Sequence, residues 1–196
     1  YVRGAMRSRS IPSVVYEVKR LSSEGVREFN LIAQDSSFYG RDLNDGTTLA
    51  RLLKELVKID NVKWIRLFYL YPTYFDDELL EIITKEEKIC KYVDIPLQHI
   101  SDSVLRRMHR RDSSQSIKKL LKKLRNTTPY ITIRTTLMVG FPGETEADFK
   151  ELLTFIKAVK FDNMGAFTYS AQDGTPAARM VDQVTEEIKE NRYHEL

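Results

Sequence analysis

Residues 131–149 read ITIRTTLMVGFPGETEADF, and no other stretch says as much about the fold. Its first nine residues, Ile131 to Val139, form the apolar, β-branched run that is typical of a buried strand. The turn GFPG (140–143) ends that run, and a helical pattern begins at Glu144-Thr145. A glycine-rich turn leaves backbone uncovered by side chains at the end of a strand, so the stretch predicts a place to hold a small ligand.

The same alternation of strand and helix extends on both sides of this stretch. Strands are predicted at Glu28 to Ala33, Trp64 to Leu70, Tyr92 to Leu97, Ile131 to Val139 and Asn163 to Tyr169. Helices are predicted at Ile11 to Ser23, Thr48 to Lys58, Asp77 to Lys85, Ser114 to Arg125, Glu146 to Val159 and from Thr185 onward. Single helices between strands imply right-handed crossovers and a mainly parallel α/β sheet. Because a helix comes first, we expect one more strand before Tyr1, which makes six βα units.

The composition limits the classes of protein to which the chain can belong. With 196 residues, of which 42% are hydrophobic and 30% charged, we expect one globular domain. No run approaches the roughly 18 apolar residues of a membrane-spanning helix, so we expect a soluble, cytoplasmic protein with no membrane partner. The single cysteine, Cys90, excludes an internal disulfide and cannot by itself hold an iron–sulfur or zinc site. We interpret it as a packed thiol.

The net charge of +3 permits an anionic partner without requiring one. Basic residues concentrate in Arg106 to Arg111 and in Lys118 to Arg125. We interpret this basic stretch as a solvated helix face, with an RNA footprint as the alternative.

Polar residues lie after the predicted strands and inside two of them, and parallel α/β sheets bind ligands at the edge where strands end. Those after a strand are Gln34, Asp35, Tyr71, Gln98 and His99, those inside a strand are Arg66, Arg134 and Thr136, and the residue that ends the last strand is Tyr169. A buried arginine needs a carboxylate, supplied either by the protein, as from Asp94, or by a ligand. Each feature also has a plainer interpretation: structural ion pairs for the arginines, a satisfied turn residue for His99, and simple turn geometry for GFPG.

These residues resemble the radical S-adenosylmethionine methylthiotransferases. The resemblance covers essentially the whole chain, in order and with matching spacing. It is carried by VRGAMRSRS (Val2 to Ser10), AQDSSFYG (Ala33 to Gly40), WIRLFYLYP (Trp64 to Pro72), DIPLQHISDSVLRRMHRR (Asp94 to Arg111), IRTTLMVGFPGETEADF (Ile133 to Phe149) and YSAQDGTPAARM (Tyr169 to Met180). At AQD, YLYP and PLQHIS the chain resembles the branch that modifies a ribosomal protein, RimO, rather than the transfer-RNA branch, MiaB.

The resemblance implies a partial (β/α)6 TIM-like barrel of the radical SAM type, with its first strand missing. It also implies S-adenosylmethionine and, in a full-length protein, two 4Fe-4S clusters whose cysteine ligands are not in this chain. The cluster-binding cysteine loop, an N-terminal methylthiotransferase domain and a C-terminal TRAM domain are expected outside residues 1–196, so the fragment alone is expected to be inactive. Expected partners are a small-subunit ribosomal protein as substrate, transfer RNA as the alternative, and a reductant such as flavodoxin or ferredoxin.

Site residues follow from the resemblance position by position. Polar contacts to the methionine or ribose part of the cofactor are expected from Gln34, Arg66, Gln98, Arg134 and Thr136. Contacts to adenine, or the wall beneath it, are expected from Gly140, Phe141, Pro142, Gly143 and Phe167. Asp35, Tyr71, His99 and Tyr169 are expected on the substrate side. Arg7 and Arg9 would face the charge of the cluster. We expect no metal ligand and no side chain that itself performs the chemistry.

The implied activity is methylthiolation of the β-carbon of an aspartate in the twelfth protein of the small ribosomal subunit. Three alternatives stay open. One is a transfer-RNA methylthiotransferase, and the second is a TIM-like enzyme that binds phosphate at GFPG. The third is a folded fragment without catalytic function.

Overall fold

The computed structural model describes residues 4–196, so Val2 and Arg3 of the first resembling segment lie outside the described residues. The strands are β1 (Glu28–Leu31), β2 (Trp64–Leu67), β3 (Tyr92–Asp94), β4 (Thr132–Val139) and β5 (Asn163–Thr168). The helices are α1 (Ile11–Ser23), α2 (Leu49–Leu56), α3 (Asp77–Lys85), α4 (Asp102–Arg107), α5 (Ser114–Thr127), α6 (Glu146–Val159) and α7 (Glu186–Glu195). Short 3-10 turns lie at Ser36–Phe38, Pro72–Tyr74 and Ala177–Arg179.

Every predicted strand and helix is present, but four strands, β1, β2, β3 and β5, end sooner than predicted. After β2 the backbone leaves the extended region at Tyr69 (φ 55°), and a left-handed residue cannot continue a strand ladder. Helix α4 was not predicted, because its six residues are too few to show a period. Across the described residues, none of the helices combines the length and apolarity that a bilayer span requires.

The chain divides into two compact units. Unit 1 comprises residues 1–94 and 126–131, and unit 2 comprises residues 95–125 and 132–196. In unit 1, β1 and β2 pair in parallel, from Glu28 beside Trp64 to Leu31 beside Leu67. Helix α2 packs between α1 and α3 in this unit, and its side chains Leu53 and Leu56 are completely buried.

In unit 2, β4 and β5 pair in parallel, from Arg134 beside Asn163 to Val139 beside Thr168. The segment 95–98 runs along β4, since Gln98 N–H donates to the Thr136 carbonyl at 2.9 Å. Alternate residues of β4 differ sharply in burial. Ile133, Thr135, Leu137 and Val139 are fully buried, whereas Arg134, Thr136 and Met138 are only partly buried. Because side chains alternate along a strand, the second set forms one accessible face.

Candidate functional site

The accessible face of β4 and β5 brings several predicted residues together. In the parallel register Thr136 lies beside Gly165, and Met138 lies beside Phe167. We call the set Arg134, Thr136, Met138, Gly165 and Phe167 the open face. Phe167 is 40% exposed, which is unusual for a phenylalanine in a strand. Gly165 leaves room here, because a Cβ at this position would meet only the Thr136 hydroxyl, at 3.8 Å.

Gln98 lies beside β4 in unit 2, in register with the buried Leu137. Its carbonyl accepts a hydrogen bond from Met138 N–H at 2.7 Å, so its backbone is fixed to β4 through both its N–H and its carbonyl. Its side-chain amide oxygen is buried and, among the described residues, has no hydrogen-bond partner. Buried polar atoms are normally satisfied, so an exception in a predicted binding residue is informative. The open face and Gln98 together offer a cation, a hydroxyl, an amide and an aromatic ring.

The GFPG turn is not an open cradle. Gly140, Phe141 and Pro142 are all buried, and Phe141 packs with Val104 and Tyr169 in an apolar cluster. Gly140 has φ 74°, and a Cβ there would lie 2.2 Å from Cγ of Lys189. The missing side chain therefore makes room for Lys189 of α7. At this one residue the turn accommodates a protein side chain in the space that the sequence suggests for a ligand.

Glu144, the residue after the turn, lies at the centre of a buried polar cluster. Gly140 N–H donates to its Oε2 at 2.7 Å, and Arg192 Nη1 donates to its Oε1 at 2.8 Å. The Glu144 side chain is fully buried and that of Arg192 is 8% exposed. Burial raises the pKa of Glu144, while Arg192 and the Gly140 and Phe141 amides lower it. Lys189 and Arg192 were not predicted as site residues, because they lie about one turn apart on a helix that otherwise reads as solvated.

His99 belongs to the same cluster. Its imidazole is fully buried, with Nε2 3.8 Å from Oε2 of Glu144, and Nδ1 accepts a hydrogen bond from Ser101 N–H at 3.0 Å. Burial lowers the pKa of His99 to about 4, with Asp148 acting to raise it and Arg192 to lower it further. The ring is therefore neutral near neutral pH. His99 is held at the turn through Nδ1, but Nε2 has no hydrogen-bond partner among the described residues, so it only partly matches the plainer interpretation of a satisfied turn residue.

The His99 pKa predicts how stability depends on pH. The unfolded chain takes up a proton near pH 6.5, whereas the folded protein resists it down to about pH 4. The contribution of His99 to the free energy of unfolding is fully present above pH 6.5. It is lost as the pH falls from 6.5 to about 4, by up to about 3 kcal/mol. Urea unfolding at several pH values measures the loss.

The matched variants for this prediction are His99→Asn and His109→Asn. Asparagine at 99 keeps an acceptor for Ser101 N–H and should abolish the decline between pH 6.5 and pH 4. The exposed His109 should be replaceable without changing that decline. An unchanged pH profile in the His99 variant would contradict the assignment.

Asp148 links the segment after β3 to the start of α6. Thr145 caps α6, and the side chains of Thr145 and Asp148 satisfy each other's backbone N–H groups in a capping box. Asp148 also accepts hydrogen bonds from the hydroxyls of Ser101 (2.5 Å) and Ser103 (2.6 Å). Burial acts to raise the pKa of Asp148, but these hydrogen bonds outweigh it and hold the pKa well below its usual value. The carboxylate therefore stays charged and holds this loop in place.

In unit 1 the loops after β1 and β2 are joined by hydrogen bonds. Ser36 N–H donates to the Tyr69 carbonyl at 2.9 Å, and Tyr71 N–H donates to the Ser37 hydroxyl at 2.9 Å. Asp35 caps the 3-10 turn between them, because its Oδ1 accepts from Phe38 N–H at 3.2 Å. Gln34, in contrast, is exposed. Among the predicted site residues of these two loops, Gln34 is thus the one with an exposed side chain.

Arg66 has a protein carboxylate as its partner. Its Nε donates to Glu28 Oε1 at 2.9 Å across the β1–β2 pair, and its guanidinium lies over the Tyr92 ring at 5.2 Å. The hydrogen bond to Glu28 raises the pKa of Arg66, and burial partly opposes this. The partner is therefore a protein carboxylate, Glu28, which agrees with the plainer interpretation of Arg66 as part of a structural ion pair. Gln34 and Arg66 lie in unit 1, whereas Gln98 and Arg134 lie in unit 2.

The segment before α1 lines a mostly apolar cavity of about 400 Å³ in unit 1, together with α1 and β1. Arg7 and Arg9 both contribute to its wall. Arg9 forms an ion pair with Glu17, and its carbonyl accepts a hydrogen bond from the Tyr39 hydroxyl at 2.6 Å. The charge of Arg9 is thus matched within the protein.

The side chains that could ligate a metal are not clustered in the part of the chain that the structure describes. Among residues 4–196, no group of three or more His, Cys, Asp or Glu side chains is arranged to hold a metal ion. Cys90 is half-buried, and burial raises the pKa of its thiol, with Arg66 opposing. A protonated, partly buried thiol behaves as a packing residue.

Comparison with known proteins places this geometry in a family. The sequence matches the Radical SAM superfamily over residues 1–156. It is 51% identical over 195 residues to the "Ribosomal protein uS12 methylthiotransferase RimO" of Geotalea uraniireducens. That alignment covers 100% of this chain and 44% of the relative. The protein of the same name from Pelobacter propionicus is 52% identical, with 43% of its length covered. The predicted resemblance is confirmed, and the chain spans less than half the length of these relatives.

Solved structures agree on the fold. The coproporphyrinogen III oxidase HemN from Escherichia coli, described as a radical SAM enzyme, aligns with TM-score 0.69 and 15% identity over 94% of this chain and 44% of its own. The radical S-adenosylmethionine methyltransferase TsrM from Kitasatospora setae aligns with TM-score 0.67 and 18% identity over 87% of this chain and 33% of its own. The predicted α/β fold with parallel strands, a partial barrel of the radical SAM type, is confirmed. With more than half of its length matched, the chain belongs to the radical SAM superfamily.

Proposed function

We propose that the open face of β4 and β5, together with Gln98, binds S-adenosylmethionine. The observation that carries this proposal is the set of groups that unit 2 brings to the open face and its neighbouring segment: a guanidinium, a hydroxyl and an exposed phenyl ring on the face, and the unsatisfied amide oxygen of Gln98 beside β4. A carboxylate, a ribose and a purine require these same partners. A glycine in the middle of the face leaves room for such a ligand.

Each residue has a proposed task. Arg134 pairs with the methionyl carboxylate, Thr136 and Gln98 bind polar groups of the nucleoside, and Phe167 stacks on adenine. The GFPG turn supports the site indirectly. Its packing against α4 and α7 fixes the end of β4, and the residues involved are Gly140, Phe141, Pro142 and Gly143. In unit 1, Gln34 and Arg66 stay proposed as cofactor contacts.

We infer that the whole protein containing this chain is a methylthiotransferase acting on an aspartate β-carbon of ribosomal protein uS12. The support is the name of relatives that are 51% and 52% identical to this chain, uS12 methylthiotransferases, and the aspartate β-carbon follows from the family resemblance. Two 4Fe-4S clusters, held outside the described residues, and a reductant such as flavodoxin or ferredoxin belong to this proposal. When bound, the clusters and S-adenosylmethionine supply the radical chemistry and the sulfur. This chain positions the cofactor and excludes water.

On the substrate side we propose Asp35 and Tyr71 in unit 1 and His99 and Tyr169 in unit 2. Tyr169 is buried, with a hydroxyl that has no hydrogen-bond partner among the described residues. His99 is fully buried, so its proposed role is to position the loop that follows it rather than to touch substrate.

The geometry disfavours phosphate binding at GFPG. An anion at this turn needs the Gly140 N–H, but the Glu144 carboxylate already accepts that hydrogen bond. A second negative charge beside Glu144 would be repelled, and Lys189 fills the space above the glycine.

The test is mass spectrometry of uS12 from a strain that lacks the intact gene. We expect loss of the roughly 46 mass units that a methylthio group adds in place of hydrogen. The wild-type gene should restore them, whereas Phe167→Ala should restore far less, because base–aromatic stacking contributes about 1 to 3 kcal/mol.

The control for this experiment is Met164→Ala, on the same strand but outside the open face, and similarly exposed at 37%. It should restore the modification fully. If the lost mass comes from transfer RNA alone, the transfer-RNA alternative is correct. If neither molecule changes, the chain has no such activity.

A further inference from the structure

Helix α5 of unit 2 carries a row of lysines that the proposed cofactor site does not use. They are Lys118, Lys119, Lys122 and Lys123, which we call the lysine face. At 3.6 residues per turn these side chains occupy an arc of about 140°, opposite the buried Ile117, Leu121 and Leu124. Two pairs of lysines are four residues apart, with a rise of about 6 Å between the members of each pair.

This face is not neutralised by its own helix. All 14 residues of α5 lack an acidic side chain, whereas α3 and α6 each carry an ion pair between residues four apart. Like charges at this spacing destabilise a helix. Lys118 has a long contact of 3.8 Å with Glu151, and both side chains are about half exposed. Within residues 4–196, Lys119 and Lys122 have no carboxylate within ion-pairing distance.

The composition of the face distinguishes between two kinds of anionic partner. Protein interfaces are enriched in aromatic residues, methionine and arginine, and depleted of lysine. The lysine face has no aromatic residue and no methionine. A row of flexible point charges instead suits a phosphate backbone, which is bound through charge and without reading of sequence.

We propose that the lysine face binds the phosphate backbone of RNA. The choice of RNA over other polyanions rests on the proposed function, because a ribosomal-protein substrate lies in an RNA-rich particle. Such a contact would position the protein on that particle without making base-specific contacts. The lack of aromatic side chains predicts little preference for sequence.

The experiment is fluorescence anisotropy of the intact polypeptide with a fluorescein-labelled 20-nucleotide oligo(U), titrated at several KCl concentrations. Two contacts, from Lys119 and Lys122, predict a slope of log affinity against log salt of about −1.4, and contacts from all four lysines predict about −3. The double variant Lys119→Glu, Lys122→Glu should weaken binding by about tenfold or more and reduce the magnitude of the slope by about 1.4. Its fold should be retained, because both side chains are exposed.

The matched control is Lys19→Glu, Lys63→Glu, which changes the net charge equally at two exposed lysines of unit 1. It should weaken binding far less than the α5 variant. Equal loss in both variants would mean general charge attraction and would overturn the proposal. So would tighter binding of polyglutamate than of oligo(U) at equal charge, which points to an acidic protein. Because no methylthiolation is measured, failure here is distinct from failure of the proposed function.

Discussion

Replacing Arg192 with methionine should lower the free energy of unfolding by about 3 to 5 kcal/mol, because it leaves the buried Glu144 carboxylate without its cationic partner. Methionine keeps much of the length of the side chain, so the loss reflects charge more than volume. Burial already raises the pKa of Glu144, and loss of Arg192 should raise it further. The penalty should therefore be larger at pH 8 than at pH 5. Urea unfolding followed by far-UV circular dichroism at both pH values measures it.

Two variants make this result specific. Arg179→Met removes an exposed arginine of the same unit and should change stability by less than about 0.5 kcal/mol. Adding Glu144→Gln to Arg192→Met should recover much of the loss, since the amide removes the buried charge. If Arg192→Met and Arg179→Met are equally stable, the ion pair does not hold this cluster together.

Replacing Gly140 with alanine should cost about 2 to 4 kcal/mol of stability. The residue has φ 74°, a left-handed conformation that strains any side chain, and its Cβ would lie 2.2 Å from Cγ of Lys189 and 3.1 Å from Cδ. Cγ lies near the base of the lysine side chain, so it cannot swing away as the ammonium end could. Thermal unfolding of the variant and the wild type tests the size of the effect.

Gly174→Ala separates strain from collision. Gly174 has a similar φ of 82°, but no atom lies within 4 Å of the position a Cβ would take. This control should cost only about 1 kcal/mol. In the Lys189→Ala background, Gly140→Ala should fall to a similar cost. Equal costs for the two glycines in the wild-type background would disprove the close packing of α7 on the turn.

Local patterns in the sequence predicted the elements well. The apolar run of β4 acts within a few residues of itself. So do Ser10, Asp76 and Thr145, whose side chains cap α1, α3 and α6 by accepting backbone hydrogen bonds three residues on. The strand ends were less predictable. A non-glycine residue with positive φ, as at Tyr69, leaves no mark in a periodicity.

Long-range partners could not be predicted from such patterns. Arg66 was recognised as needing a carboxylate, but Glu28 lies 38 residues away in sequence. Only the β1–β2 register, which places Arg66 beside Asn30, brings Glu28 within reach two residues along the neighbouring strand. Lys189 and Arg192 are buried on α7, against the usual rule that charged helix residues face water. The resemblance supplied residue types for the cofactor site, while the open face became visible only from the pairing of β4 with β5.

The link between Glu144 and Arg192 also sets an order of events during synthesis. The two residues are separated by 48 positions, so at 5 to 20 residues per second the arginine leaves the ribosome about 2 to 10 seconds after the glutamate. During that interval β4, the GFPG turn and α6 can form, but the carboxylate has no cation to accompany it into the interior. We expect nascent chains stalled before α7 to keep this turn hydrated and open to proteolysis, and release of α7 to close it.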